Sequence, residues 1–382
     1  MNNETILTNA RIVTTTEVFS GTIVLSDGVI KSISHGQSSV PSAEDFEGDL
    51  IIPGLIDIHT DNLEKHAEPR PGVKWPFTAA LATHDQQLYS AGITTVLDSL
   101  SVGDFYEEDE KSGRNGTLQQ AVSTLEEAQS AGLLHADHYL HVRCELSTSN
   151  VIESFLHFAD DSFVKLVSVM DHTPGQRQWS NLEKWAQFNK KRFGNNDQAR
   201  NEFLQHRLQM QEKYSEPNRI QLIEECKRRN LPLASHDDTT LEHVIEAHEV
   251  GIEISEFPTT IEAARKAHSR GMKNVMGAPN VVLGGSHSGN VAAIELAKEG
   301  LLHGLASDYV PISLLHGAFL LCEQSDMTLP QSIATVTKEP AEMIGLSDRG
   351  EIATNKRADL VRIKEWHHMP MIRGIWRNGQ RF

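Results

Sequence analysis

Apolar and polar positions alternate along "ILTNARIVTTTEVFSGTIVLSDGVIKSIS", from Ile6 to Ser34, with a turn signal at Ser26-Asp27-Gly28. A period of two interrupted by a turn predicts a β-meander, since alternate side chains of a strand face opposite sides of its sheet. The same texture returns at the other end, in "GEIATNKRADLVRIK" and "MIRGIWRNGQRF". These two patches predict a small β-sandwich domain built from both termini, residues 1–50 and 350–382.

Between them the period changes. Short apolar runs alternate with amphipathic segments such as "TLQQAVSTLEEAQSAG" and "RIQLIEECKRRN". The candidate strands are "LIIPGLIDIHTD", "GITTVLDSL", "HYLHVRCELS", "FVKLVSVMDH", "LPLASHDD", "GIEISEFP", "KNVMGAPNV" and "GLASDYV". Eight βα units in series predict an α/β fold, a TIM-like (β/α)8 barrel over residues 51–349. An open doubly wound sheet is the alternative, but the Gly-rich nucleotide turn that would favour it is missing. One connection is oversized. Residues 179–216, between the fourth and fifth strands, carry helical spacing and many cations, and predict two helices. They form either a solvated hairpin packed on the barrel or a lid that closes over the mouth.

The formal charge of −17, from 52 acidic and 35 basic residues, argues against nucleic acid or an anionic membrane surface as partner. A small anionic substrate remains open, because a local cluster of cations can override the net field. The three cysteines, Cys144, Cys226 and Cys322, are too scattered for a disulfide framework or a thiolate metal site. They read as buried thiols of a reducing compartment. The start "MNNETILTNARIV" lacks the basic and apolar stretches of a signal peptide, and no apolar run is long enough to span a bilayer. These features predict a cytoplasmic protein, and a homo-oligomer is compatible with them.

In a parallel barrel the chemistry sits at the C-terminal ends of the strands. The polar residues at those ends are His59, Asp61, Glu145, His172, His236, Glu256 and Asp308. His59 and Asp61 share a strand face, as do His141, Arg143 and Glu145. Taken singly, each is more often a hydrogen-bonded structural residue, an N-cap or a turn residue. Their recurrence on most strands favours a metal site, because several buried carboxylates without a cation are costly. Mixed imidazole and carboxylate ligands suit zinc, manganese or iron.

The strings "HTDNLEKH", "PRPGVKW", "MDHTPGQRQ", "ASHDD", "EFPTT" and "GAPNVVLGGSHSGNVAA" closely resemble one branch of the amidohydrolase superfamily. That branch comprises the phosphonate-metabolism diphosphatases of the carbon–phosphorus lyase pathway. The resemblance runs from Ile6 to Phe382. It implies one or two divalent metal ions held by His59, Asp61, Glu145, His172, His236 and Asp308, with Asp308 also orienting the attacking water and taking its proton. Where the superfamily usually has His-X-His on the first strand, this chain has His59-Thr60-Asp61, a harder ligand pair. The bridging ligand is either Glu145 or a carbamylated Lys165, and the depth of Lys165 in its strand favours Glu145. The implied substrate is a small phosphorylated sugar, α-D-ribose 1-methylphosphonate 5-triphosphate, cleaved to the 5-phosphate and pyrophosphate.

Such a substrate needs cations and backbone donors. Lys65, Arg70 and Lys74 follow the first strand, and Arg177 follows the fourth. Ser286 and His287 lie in "LGGSHSGN", just ahead of a helix expected to start near Val291, where N–H groups can cradle an anion. The plain alternatives are solvated surface charges and a glycine turn. Two rival functions stand beside this one: a deacylase, deaminase or cyclic amidohydrolase of the same superfamily, and a non-catalytic barrel used as a scaffold.

Overall fold

The computed structural model describes residues 4–70, 72–103, 114–179, 182–188, 190, 196–286 and 289–382. The meander consists of β1 (Thr5–Val13), β2 (Val18–Ser26) and β3 (Val29–His35). β4 (Glu44–Asp45) and β5 (Leu50–Pro53) pair in parallel with β1. The barrel follows as β6 (Leu55–Thr60), β7 (Ile93–Val102), β8 (Asp137–Glu145), β9 (Val164–Met170), β10 (Leu233–His236), β11 (Ile254–Glu256), β12 (Lys273–Gly277) and β13 (Gly304–Ala306). These eight strands form one parallel sheet in sequence order. The chain ends with β14 (Leu360–Trp366), β15 (Met369–Arg377) and β16 (Gln380–Arg381), which join the first five strands in the order β16-β15-β14-β5-β1-β2-β3. Each end of the chain thus supplies part of a second eight-stranded sheet.

The run from Leu50 to Asp61, expected as one barrel strand, is two. Leu50–Pro53 pairs with β14 in the terminal sheet, and Leu55–Thr60 pairs with β7 in the barrel. The chain switches sheets at Gly54, where a Cβ would fall 2.2 Å from Thr94 Oγ1. Only a glycine passes there. On β5 the alternation serves two cores. Ile51 faces the terminal core with Leu7, Ile12, Ile23, Phe46 and Trp376, whereas Leu50 and Ile52 pack toward the barrel with Leu55 and Ile93.

β6 and the segment after β13 close the barrel. Asp308 donates its N–H to the His59 carbonyl (2.9 Å) and accepts from the Asp61 N–H (3.0 Å), and Asp57 Oδ1 accepts from the Ser307 N–H (3.0 Å). The long connection after β9 contains helices Leu182–Phe188 and Asp197–Arg229. The second helix is longer than expected, because it runs through Pro217 into the segment read as a separate helix. Pro217 is exposed, so water can satisfy the carbonyl it frees. This helix is fastened over the barrel mouth: Asn218 donates to the carbonyls of Leu146 and Thr148, and Gln211 and Ser215 both donate to Asp171.

Two ion clusters lock the outer layers. At the N-terminal end of β8, Asp137 meets Arg349, Arg357 and Arg377, tying the barrel floor to the terminal sheet. Between β7, β8 and the helix Phe77–Ser90, buried His138 donates to Asp98 (2.7 Å) and Asp85 (3.3 Å), and His84 donates to Asp98 (2.6 Å). Burial alone would push the His138 imidazole down, but the Asp98 and Asp85 carboxylates hold it up at about 9. Stability from such a raised group is complete below its unfolded pKa of roughly 6.5 and fades as pH climbs through the folded value. Chemical denaturation should therefore show the protein losing about 3 kcal/mol between about pH 6.5 and about pH 9.5. His138→Gln should flatten that slope; an equal slope in both proteins would remove the charged cluster from the account.

Candidate active site

The C-terminal ends of the barrel strands surround an open cleft lined by His59, Asp61, His172, His236, Asp237 and Asp308 among others. Three non-glycine residues just past strand ends take left-handed backbone: Asp237 (φ 58°), Phe257 (φ 55°) and Asp308 (φ 56°). Each such residue costs roughly 1–2 kcal/mol, and strain of this kind gathers at functional sites. Asp and Asn tolerate it best, because their short polar side chains bond locally.

Each cleft histidine is held from behind by a carboxylate. His59 Nδ1 and His236 Nδ1 both donate to Glu256, each at 2.6 Å, and His172 Nδ1 donates to Glu145 at 2.6 Å. Glu145 also accepts from the His172 N–H (2.9 Å) and the Ser147 hydroxyl (3.0 Å), and Ser168 donates to Glu256 at 2.8 Å. Donation through Nδ1 leaves Nε2 as the lone-pair nitrogen on each ring, the arrangement in which imidazoles ligate metals. His236 Nε2 and His172 Nε2 lie 3.5 and 3.8 Å from Asp237 Oδ2. That oxygen is buried and, among the described residues, has no hydrogen-bond partner.

This donor set fits a divalent ion. Ligand bonds of about 2.1 Å at tetrahedral angles put neighbouring ligand atoms roughly 3.4 Å apart, close to the spacing seen. A cation among these atoms would also satisfy the otherwise orphaned oxygen. Burial works to lower the His59 pKa, but Glu256 raises it above the ordinary value, so a proton competes with a metal ion for Nε2. Among the described residues two further buried groups are of metal-ligand type: His59, His141 and Glu256, in which Glu256 accepts from His59 Nδ1, and His84, Asp98 and His138, an ion cluster in which protonated His138 has no lone pair to offer.

The cations expected to bind substrate are placed unevenly. Lys65 pairs with Asp61 at 2.9 Å and lies 5.2 Å from the Tyr309 ring centroid. Arg70 and Lys74 are exposed on the following loop and do not line the cleft. Arg177 donates through Nη1 to Asp238 (2.7 Å) and to the His236 carbonyl (2.9 Å), which ties that nitrogen to the β10 loop. Ser286 lines the cleft, while His287 lies outside the described residues. The helix expected near Val291 is Ala293–Lys298. Lys165, the alternative bridge, sits at the start of β9 with its Nζ 5.4 Å from the Tyr139 ring centroid and does not line the cleft. The residues that sequence reasoning left out of the site are Asp237, Arg143 and Glu256. Glu256 stood among the strand-end carboxylates, and its position after "GIEIS" was the available signal.

A closed parallel barrel with imidazoles and carboxylates at its mouth is an arrangement suited to hydrolases that activate water at a metal centre. The profile of the amidohydrolase family matches residues 214–381. Over 98% of this chain, and 99% of the other, the sequence is 43% identical to the α-D-ribose 1-methylphosphonate 5-triphosphate diphosphatase of Escherichia coli (strain K12). Among solved structures, a Xaa-Pro dipeptidase matches all of both chains at TM-score 0.66 and 14% identity. The dihydropyrimidinase from Brevibacillus agri matches 99% of this chain and 94% of its own at TM-score 0.65 and 12% identity. This chain belongs to the amidohydrolase family.

The carboxylates behind the histidines generate a test. Glu256→Gln and Glu145→Gln should each weaken metal affinity about 10–100-fold, the usual cost of losing a carboxylate that orients a ligating imidazole. Lys165→Gln should leave it unchanged. Equilibrium dialysis with elemental analysis measures both; the reverse ranking, or added mass on the Lys165 nitrogen, would move the bridge to a carbamylated lysine.

Proposed function

We propose that this protein hydrolyses α-D-ribose 1-methylphosphonate 5-triphosphate to the 5-phosphate and pyrophosphate. The observation that carries the reading is the near-full-length identity to a diphosphatase of that activity, which spans every strand that contributes to the cleft. The mixed imidazole and carboxylate donor set supports zinc, or alternatively manganese or iron, as the ion held. His172 and His236 through Nε2, with Asp237 Oδ2, would hold one ion, and His59, Asp61 and Asp308 stand on the adjoining wall of the cleft. Glu145, first read as a bridge, is better placed as the carboxylate that orients His172. A divalent ion there supplies Lewis acidity, lowering the pKa of water and neutralising charge on the phosphoryl oxygens.

The side chains do the rest. Asp308 is raised by burial and by the neighbouring Asp61, which suits it to accept a proton. It takes the proton from the attacking water as the water oxygen bonds to the α-phosphorus. The bond from that phosphorus to the bridging oxygen of the β-phosphoryl group breaks, and pyrophosphate leaves with the electron pair. The long helix Asp197–Arg229 overhangs the mouth and helps limit other water, since its Arg207 is buried 3.7 Å from Glu145.

Incubating the metal-loaded protein with the ribosyl triphosphate and following phosphorus by NMR tests the reading. One pyrophosphate per substrate is expected. Orthophosphate alone, or no turnover alongside hydrolysis of amides, would overturn it. Asp308→Asn keeps a residue that tolerates the left-handed backbone but cannot take the proton. It should cut kcat by about 10²–10⁴-fold while leaving metal content near the parent's; near-parental kcat would remove Asp308 from the proton transfer.

A further inference from the structure

Arg143 lies on β8 between His141 and Glu145, and all three side chains face the barrel interior, two residues apart. In register it stands between Ser101 of β7 and Ser168 of β9, below the strand mouths. Its side chain lines the cleft together with His59, His172 and Asp308. Its Nε is buried and, among the described residues, has no hydrogen-bond partner. Among the described residues the guanidinium makes no ion pair, although Asp61, Asp237 and Asp308 line the same cleft. The other arginines near the mouth are engaged: Arg177 by Asp238, and Arg207 beside Glu145.

A guanidinium partly withdrawn from water, with a buried unpaired N–H, is costly without an anion to meet it. Its cost grows beside a divalent ion, since like charges repel in a site of low dielectric. Both costs are relieved by one ligand, an oxyanion carrying several negative oxygens. The planar fork of arginine matches two oxygens of a phosphoryl group, which an ammonium cannot do. Because Arg143 is rooted deep in the strand, it meets the group that penetrates furthest, where water attacks.

We infer that Arg143 is a substrate-binding residue whose guanidinium takes two non-bridging oxygens of the phosphoryl group at the reaction centre. The assignment rests on the diphosphatase reading for the identity of the substrate, but not for its phosphate chemistry. It also replaces Arg177, Arg70 and Lys74 with a deeper cation as the main charge contact.

The test separates the two readings. Calorimetry on the metal-loaded protein uses inorganic tripolyphosphate as the probe, and turnover of the ribosyl triphosphate is measured in parallel. Arg143→Ala should weaken tripolyphosphate about 10–150-fold, the range for hydrogen bonds to a charged group, with metal content at the parent level. Arg143→Lys should recover only part of the affinity, and added guanidinium should partly restore kcat/KM to the alanine variant, which a purely structural role would not permit. Parental affinity and kcat/KM in either variant, a loss that tracks lost metal, or a parent protein that does not bind tripolyphosphate would overturn the assignment. If the parent binds the probe through Arg143 yet releases no pyrophosphate, the assignment stands and the diphosphatase reading falls.

Discussion

The main chain of Asp308 donates to His59 and accepts from Asp61, and these two bonds join the edges of a parallel sheet that would otherwise stay open. The seam decides the geometry of the mouth. It sets the ends of the first and last strands side by side, so that Asp308 shares a wall with His59 and Asp61 although about 250 residues separate it from them in the chain. Asp57 reinforces the seam from within by accepting from the N–H groups of Ser307 and His59. Burial raises the Asp57 pKa to about 6, so its protonation in mild acid would slacken the closure. The left-handed backbone at Asp308 is the strain that goes with turning the chain sharply at this point.

Behind the mouth, two carboxylates do what ligands alone cannot. A free imidazole can rotate and can present either nitrogen. Here Glu256 fixes two rings and Glu145 fixes a third, and all three donate through Nδ1. The rings are also braced by packing, with Phe257 edge-on to both His59 and His236 at 4.9 and 5.5 Å. Burial would raise the pKa of Glu256, but His59 and His141 hold it well below the usual carboxylate range, so it stays an acceptor. The outcome is a set of lone pairs aimed in advance, which lowers the reorganisation that binding and catalysis would otherwise require.

The barrel was legible because its strands are short apolar runs that end in polar residues at regular intervals. His59, His172, His236 and Asp308 stood out for that reason. Asp237 did not, because strand parity sends the residue after His236 to the opposite face; only the left-handed turn at Asp237 itself brings its carboxylate over the cleft. The split at Gly54 was hidden although Pro53-Gly54 interrupts the apolar residues there, since both halves are buried and hydrophobicity does not say in which sheet. Pro217 lies within a helix that the sequence pattern divides, because an exposed proline can be carried where water satisfies the freed carbonyl. The cations are less legible for a related reason: charge in a loop shows only that a group can reach solvent. Arg177 and Lys65 pair with carboxylates of their own chain, whereas Arg143, inside a strand, lines the cleft with its Nε unbonded among the described residues.

The central claim is that carboxylate-oriented imidazoles present Nε2 to a divalent ion beside Asp237. Diffraction from zinc-loaded crystals, recorded on both sides of the zinc absorption edge, tests it most directly. The account predicts an anomalous peak about 2.0–2.2 Å from His172 Nε2, His236 Nε2 and an Asp237 oxygen, with Glu145 and Glu256 still bonded to the Nδ1 atoms behind. A peak ligated by Lys165, or a fully loaded protein whose Asp237 stays unligated, would contradict it.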